Sequence, residues 1–149
     1  MNTAVIFDAF GTLLKIDGGT HPLREILKLG IEQGRRPKIN DAENLLSLPM
    51  DLHEAADFFG IHVESNKMAQ LQSGLRAELA GIQAYPDGLA AVERLQNAGV
   101  KVVLCSNLAK PYAAAIERLY PRLDGYIYSF AIGVIKPGFE IYQQAMQLN

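Results

Sequence analysis

Apolar positions along this chain fall into two patterns, short runs and helical stripes. Three short runs are predominantly apolar: Thr3 to Phe7 (T-A-V-I-F), closing on Asp8; Val100 to Cys105 (V-K-V-V-L-C), followed by Ser106-Asn107; and Tyr126 to Phe130, weaker and aromatic, just before Gly133 and Lys136. Runs of this length suit strands covered on both faces, as in a parallel sheet. Gly11-Thr12 breaks the first run with a turn signal.

Between the runs the spacing is helical. Pro86 to Ala98 places Leu89, Val92 and Leu95 on one face, with proline at the start and Gly99 just past the end. Pro111 to Tyr120 carries Tyr112, Ala115, Ile116 and Leu119 three and four apart and stops at Pro121. Pro137-Gly138 opens a last helix with Ile141, Ala145 and Leu148 along one side. From Tyr85 onward helix and strand therefore alternate, which predicts a right-handed parallel α/β unit.

The stretch from Lys15 to Gln83 has little strand character. Thr20 to Gly34, Asn40 to Ser47, Asp51 to Gly60 and Ser65 to Gly81 each read as helix, with Gly34, Gly60 and Gly81 where helix ends favour glycine. Asn40-x-x-Glu43 and Asp51-x-x-Glu54 both match the capping box. Leu71, Leu75 and Leu79 form a stripe expected to pack internally. The predicted fold is α/β, a Rossmann-like parallel sheet built from residues 1–14 and 84–149, with an all-helical cap inserted at 15–83.

Composition narrows the partners. Fourteen Lys plus Arg against sixteen Asp plus Glu leave a net charge of −2, so no basic excess points to nucleic acid or an anionic membrane. No apolar stretch approaches the roughly 18 residues of a membrane helix. The start, Met1-Asn2-Thr3, lacks the basic region of a signal peptide, and Cys105 is the single cysteine, so the expected setting is cytoplasmic and reducing.

Ligands of open parallel sheets bind at the carboxyl ends of the strands. Asp8, Ser106 and Lys136 fall at or just beyond those ends. A carboxylate can attack an electrophilic carbon or phosphorus and form a covalent intermediate. A serine hydroxyl and free backbone N–H groups can hold an anion, and a lysine can neutralise the charge between anion and carboxylate. Taken singly, each residue also has an ordinary reading, as a cap for Asp8 and Ser106 and as a solvated side chain for Lys136.

The segment Phe7-Asp8-Ala9-Phe10-Gly11-Thr12-Leu13-Leu14 resembles the first motif of the haloacid dehalogenase (HAD) superfamily. Val102-Val103-Leu104-Cys105-Ser106-Asn107 resembles its second motif, and Gly133-Val134-Ile135-Lys136-Pro137 with Ile141-Tyr142 its third. The helical insertion after the first motif fits the cap-bearing subclass. The resemblance implies a hydrolase acting on a small anionic substrate, with Asp8 as nucleophile and Lys136 steadying it. Gly11 and Thr12 would shape the turn toward the cap, while Ser106 and Asn107 bind the substrate's anionic group.

Two departures shape the expectation. Phosphatases of the family usually carry a second Asp two residues after the nucleophile, as general acid; here that position is Phe10. A halide leaves without a proton, and an aromatic residue here together with Ser-Asn resembles the 2-haloacid dehalogenases, so Phe10 joins the expected substrate-binding set. The family's fourth motif, an acidic pair beyond the lysine, has no counterpart between Pro137 and Asn149. The one acid there, Glu140, reads as a helix-dipole residue. The expectation is thus a C-terminally truncated HAD-type core, leaning to dehalogenase-like chemistry without a metal. The alternatives are a degenerate binding unit without full activity, or a small-molecule phosphatase in which Asp8 would bind Mg2+.

Other candidates read more plainly. His21, His53 and His62 lack metal-ligand spacing and read as surface or cap residues. Arg24, Arg35 and Arg36 read as solvated helix-surface side chains, and Cys105 as a packed thiol. Without further strands beside it, the first run would be an exposed apolar edge, expected to be covered by self-association through residues 3–7 or by the displaced cap.

Overall fold

The computed structural model describes residues 3–136. In chain order the first half contains β1 (Ala4–Phe7), β2 (Leu14–Lys15), α1 (Pro22–Glu32), α2 (Asp41–Ser47), α3 (Leu52–Phe59), α4 (Ser65–Ala80) and β3 (Gln83–Ala84). There follow α5 (Pro86–Asn97), β4 (Lys101–Ser106), a 3-10 turn (Lys110–Tyr112), α6 (Ala113–Leu119), β5 (Gly125–Tyr128) and α7 (Ser129–Ile132). The expected helix after Pro137 lies outside the described residues, as does Glu140.

The apolar runs pair as a parallel sheet in the order β1-β4-β5, with Phe7 beside Leu104 and Ser106 beside Tyr128. Central β4 is buried from Val102 to Ser106 because both of its faces are covered. Val102 and Leu104 join a cluster with Leu13, Val92, Ile116 and Tyr120, whereas Val103 and Cys105 pack with Ile127 on the opposite face. Period-two alternation sends successive side chains to opposite faces, so a strand covered twice is apolar throughout. Burial of a side chain such as Leu104 or Ile116 contributes about 1.5–3 kcal/mol.

A strand at the sheet margin is less enclosed. β1 pairs only with β4 among the described residues, and Ile6 is 40% exposed. No described residue, cap residues included, pairs with its outer edge.

Local differences from the sequence reading have identifiable causes. The third run ends at Tyr128, and Ser129 to Ile132 turn into α7, which takes Phe130 out of the strand. The two-residue strands β2 and β3 pair antiparallel, Leu14 with Ala84 and Lys15 with Gln83, where the chain leaves the sheet and returns to it. The Asp51 capping box forms, its Oδ1 accepting from Glu54 N at 2.8 Å and Glu54 Oε1 accepting from Asp51 N at 3.1 Å. Asn40 makes no side-chain cap; the first turn of α2 is organised by Asp41, which accepts from Lys38 N and binds Arg35.

Helices α1 to α4 close on a second cluster containing Leu23, Ile26, Leu52, Phe59, Met68 and Leu71. The expected stripe on α4 does pack internally, and it divides between the two clusters. Leu71 and Leu75 face the helical cluster, while Leu79 packs against the sheet's cluster. No helix among the described residues is long and apolar enough to cross a membrane.

Candidate active site at the carboxyl edge of the sheet

Parallel register fixes where chemistry can gather. Phe7 lies beside Leu104, so Asp8 is delivered next to Cys105 at the edge where β4 ends in Ser106. Beyond Asp8 the chain turns sharply: Ala9 O accepts from the N–H groups of Thr12, Leu13 and Leu14, and Gly11 adopts φ 85. That left-handed backbone favours glycine, which explains Gly11. Thr12 is exposed at the same turn.

Lys136 reaches back from beyond α7 to close the site. Its Nζ donates to Asp8 Oδ1 at 3.0 Å and to the Cys105 carbonyl at 3.0 Å. The Lys136 side chain is 19% exposed and that of Asp8 54%, so the lysine is anchored while the carboxylate opens outward. Ala9 N–H also donates to Asp8 Oδ1, at 2.9 Å. Both of these donors converge on one oxygen, and among the described residues Oδ2 accepts no hydrogen bond.

Asn107 holds the lysine by its main chain. Its Nδ2 donates to Lys136 O at 3.2 Å and its Oδ1 accepts from Lys136 N at 2.6 Å. Ser106 is buried, its hydroxyl 3.4 Å from the Asn107 carbonyl. The Leu108 N–H, one of the backbone donors beyond β4, is taken by Ser129 Oγ at 2.8 Å. Burial pushes the Cys105 thiol upward, against the opposing effect of Lys136, so it stays a neutral packed group.

Beside this edge, cap and sheet border an open hollow of about 250 Å³ lined by Phe10 and Asn107 on the sheet side and by His21, Leu46 and Glu78 on the cap side, with Tyr112 between. Phe10 meets the Tyr112 ring edge-on at 6.4 Å. A second hollow of about 290 Å³ shares His21 and Tyr112 and adds Arg24. Arg35 faces neither: its guanidinium binds both Asp41 oxygens at 2.9 Å and lies 5.0 Å from the centre of the Phe59 ring. A wider depression of about 350 Å³ between α5 and the Pro121–Leu123 loop carries none of the strand-end residues.

Sequence reasoning placed Asp8, Phe10, Asn107 and Lys136 in this region but missed Glu78, Tyr112 and Ser129; its reading of His21 as a surface or cap residue agrees with an exposed side chain at the N-cap position of α1. Glu78 is 6% exposed on α4; it accepts from His21 N at 3.0 Å and from the Tyr112 hydroxyl. Burial, then Glu78, pushes the Tyr112 phenol well above its ordinary range. Ser129, fully buried, donates to the Leu46 carbonyl and so ties α2 to the sheet. These partners lie 21 to 83 residues apart, beyond the reach of any local pattern.

Solved structures that superpose on this chain identify the architecture. A HAD family enzyme from Bacteroides thetaiotaomicron superposes with a TM-score of 0.63 at 14% identity, over 98% of this chain and 77% of that one. The fold is that of the HAD hydrolases. A HAD phosphatase from Thermococcus onnurineus gives 0.58 at 20% identity, covering 98% of this chain and 71% of its own. A dehalogenase gives 0.54 at 22% identity, covering 98% and 70%. No protein-family model and no curated protein matches the sequence.

Magnesium accompanies inorganic phosphate in a complex of the Bacteroides protein. Mg2+ is ordinarily held by one or two carboxylates, waters and substrate phosphate oxygens. Among the described residues no three His, Cys, Asp or Glu side chains gather as a metal site. Among the described residues at the strand ends, Asp8 is the one placed to offer a carboxylate, and one of its oxygens is engaged by Lys136. The described residues therefore do not by themselves make a magnesium site.

Proposed function

We propose that this HAD-fold protein is a hydrolase that forms an aspartyl ester on Asp8 with a small anionic substrate, of the haloacid type. The observation that carries this reading is the 3.0 Å contact between Lys136 Nζ and Asp8 Oδ1, made across 128 residues. Lys136 and the Ala9 N–H occupy Oδ1, which leaves Oδ2 to attack. Attack forms a carbon–oxygen bond and expels halide with the carbon–halogen electron pair. Oδ1 becomes the ester carbonyl oxygen, already facing the two donors that stabilise negative charge when water adds to Cγ. Loss of one such donor typically costs about 10²–10³ in rate. Collapse of the adduct releases the product as its alcohol, with one proton of the water going to the departing oxygen and the other to solvent, and restores the Asp8 carboxylate.

Phe10 supports halide over alkoxide as leaving group. It packs on Tyr112 and carries no proton to give. Asn107 keeps Lys136 in place and has one further amide N–H for the substrate's carboxylate. Ser106 lies behind it and supports the turn.

The test is a single turnover of 2-chloropropionate by excess protein in ¹⁸O-water. The label is expected in Asp8 and not in the product, and Asp8→Asn is expected to abolish chloride release. Label entering the product directly in the first turnover would reject the ester. The phosphatase reading is favoured by the Bacteroides magnesium–phosphate complex. It requires Asp8-dependent, magnesium-dependent phosphate release from a monoester and no labelled Asp8.

A further inference from the structure

One residue at the mouth of the hollow has a backbone conformation that its own sequence does not favour. His21 sits at φ 50 and ψ 61, and it is the single non-glycine residue with positive φ among the described residues. Such a conformation costs free energy and persists where the surroundings over-determine it, most often at functional sites.

Those surroundings are specific. The Glu78 carboxylate accepts the His21 N–H at 3.0 Å and is pressed against the bare backbone before it: a Cβ on Gly19 would lie 2.5 Å from Glu78 Oε2. The other Glu78 oxygen accepts the hydroxyl of Tyr112, a residue from the sheet side. His21 stands at the start of α1, yet its side chain does not cap the helix. Its imidazole makes no hydrogen bond to any described residue, and it lines both hollows.

Few groups there can accept a proton near neutral pH. The Tyr112 phenol donates to Glu78 and is held protonated by burial. Both Glu78 oxygens are engaged, and the Arg24 guanidinium in the adjoining hollow offers donors and no acceptor. Imidazole is the side chain whose ordinary titration lies close to neutrality.

We propose that His21 is the proton acceptor for the second half-reaction, taking a proton from the water that attacks the Asp8 ester, with Glu78 and Tyr112 as its positioning residues. This rests on the aspartyl-ester reading above. The water oxygen bonds to Asp8 Cγ and its proton passes to an imidazole nitrogen. The tetrahedral adduct expels the product alkoxide, which recovers that proton from the imidazolium. The Asp8 carboxylic acid releases its own proton to solvent.

Chloride release and intact mass, followed over time with 2-chloropropionate, test this on the full chain. His21→Asn and His21→Gly are expected to release up to one chloride per chain, accumulate the Asp8 adduct, and turn over about 10²–10⁴-fold more slowly than wild type. Both replacements tolerate a left-handed backbone, and His21→Gly is expected to melt no lower than wild type. Glu78→Gln is expected to keep the burst and lower the steady rate. Wild-type turnover in His21→Asn, or a first-turnover chloride release lost along with the steady rate, would overturn the role of His21. Unchanged turnover in Glu78→Gln would overturn the positioning. Failure of the ester reading looks different, because no protein, wild type included, then gives an Asp8-dependent burst, and both proposals fall.

Discussion

Asn107 grips Lys136 by both main-chain polar groups, with its Oδ1 2.6 Å from Lys136 N and its Nδ2 3.2 Å from Lys136 O. The ammonium that meets Asp8 is therefore aimed by a carboxamide on the neighbouring strand end. Lys136 follows α7 with no regular structure of its own to place it.

Removing that grip should affect chemistry more than folding. Asn107→Ala loses two half-buried hydrogen bonds, each contributing about 0.5–1.5 kcal/mol. A displacement of the lysine on the order of 1 Å would cost about 10² in the chloride burst rate. Rapid-quench kinetics beside a melting curve separates the two effects. A burst as fast as wild type would show that Asn107 does not aim Lys136.

Ser129 offers a test of how the cap is tied down. Its hydroxyl donates to Leu46 O and accepts the Leu108 N–H at 2.8 Å, all in a fully buried position. Ser129→Ala leaves buried groups unpaired, a loss of about 1–3 kcal/mol. For a chain of this size each kcal/mol shifts Tm by roughly 2–4 °C. Calorimetry should record a fall of about 2–12 °C, and an unchanged Tm would contradict the tie.

Acid should loosen the cap through Asp41. Its pKa is lowered to about 2, first by the hydrogen bonds from Arg35. The folded value is below the unfolded one, so this stabilisation is complete above the unfolded carboxylate range and is lost as pH falls toward 2. Asp41→Asn should flatten the stability–pH curve between about pH 4 and 2 relative to wild type. Urea titrations at stepped pH would show it, and parallel curves would exclude Asp41 as a source of the acid sensitivity.

Among the described residues the outer margin of β1 has no partner strand, and self-association through it is the expected outcome. An apolar edge strand with unpaired backbone groups templates pairing with another strand, and a lysine on it opposes that. Sedimentation at rising concentration should show reversible dimers that Ile6→Lys removes. A wild-type chain that stays monomeric throughout would refute this.

Legibility from sequence followed the range of the interactions involved. Asp8, Ser106 and Lys136 stand out because an apolar run, a glycine or proline break and the strand-end rule are all local signals. The Asp51 box is legible for the same reason, since its partners are three residues apart. Asn40 fits the same pattern and fails, because Arg35 and the Lys38 N–H organise that turn through Asp41. β2 and β3, at two residues each, are too short to show a period. Glu78 reads as an ordinary helical acid until Tyr112, 34 residues on, is folded against it.

Helix α4 belongs to both hydrophobic clusters, Leu71 to one and Leu79 to the other, with Glu78 at the crossing. Cap and sheet thus share a structural beam, and neither can melt without disturbing the other's packing. Unfolding should be a single cooperative event, with probes in the two halves reporting one transition. A cap graft cut at the β2–β3 neck would carry away a wall of the recipient's own core. Sequence change in this cap is accordingly tied to the stability of the whole chain.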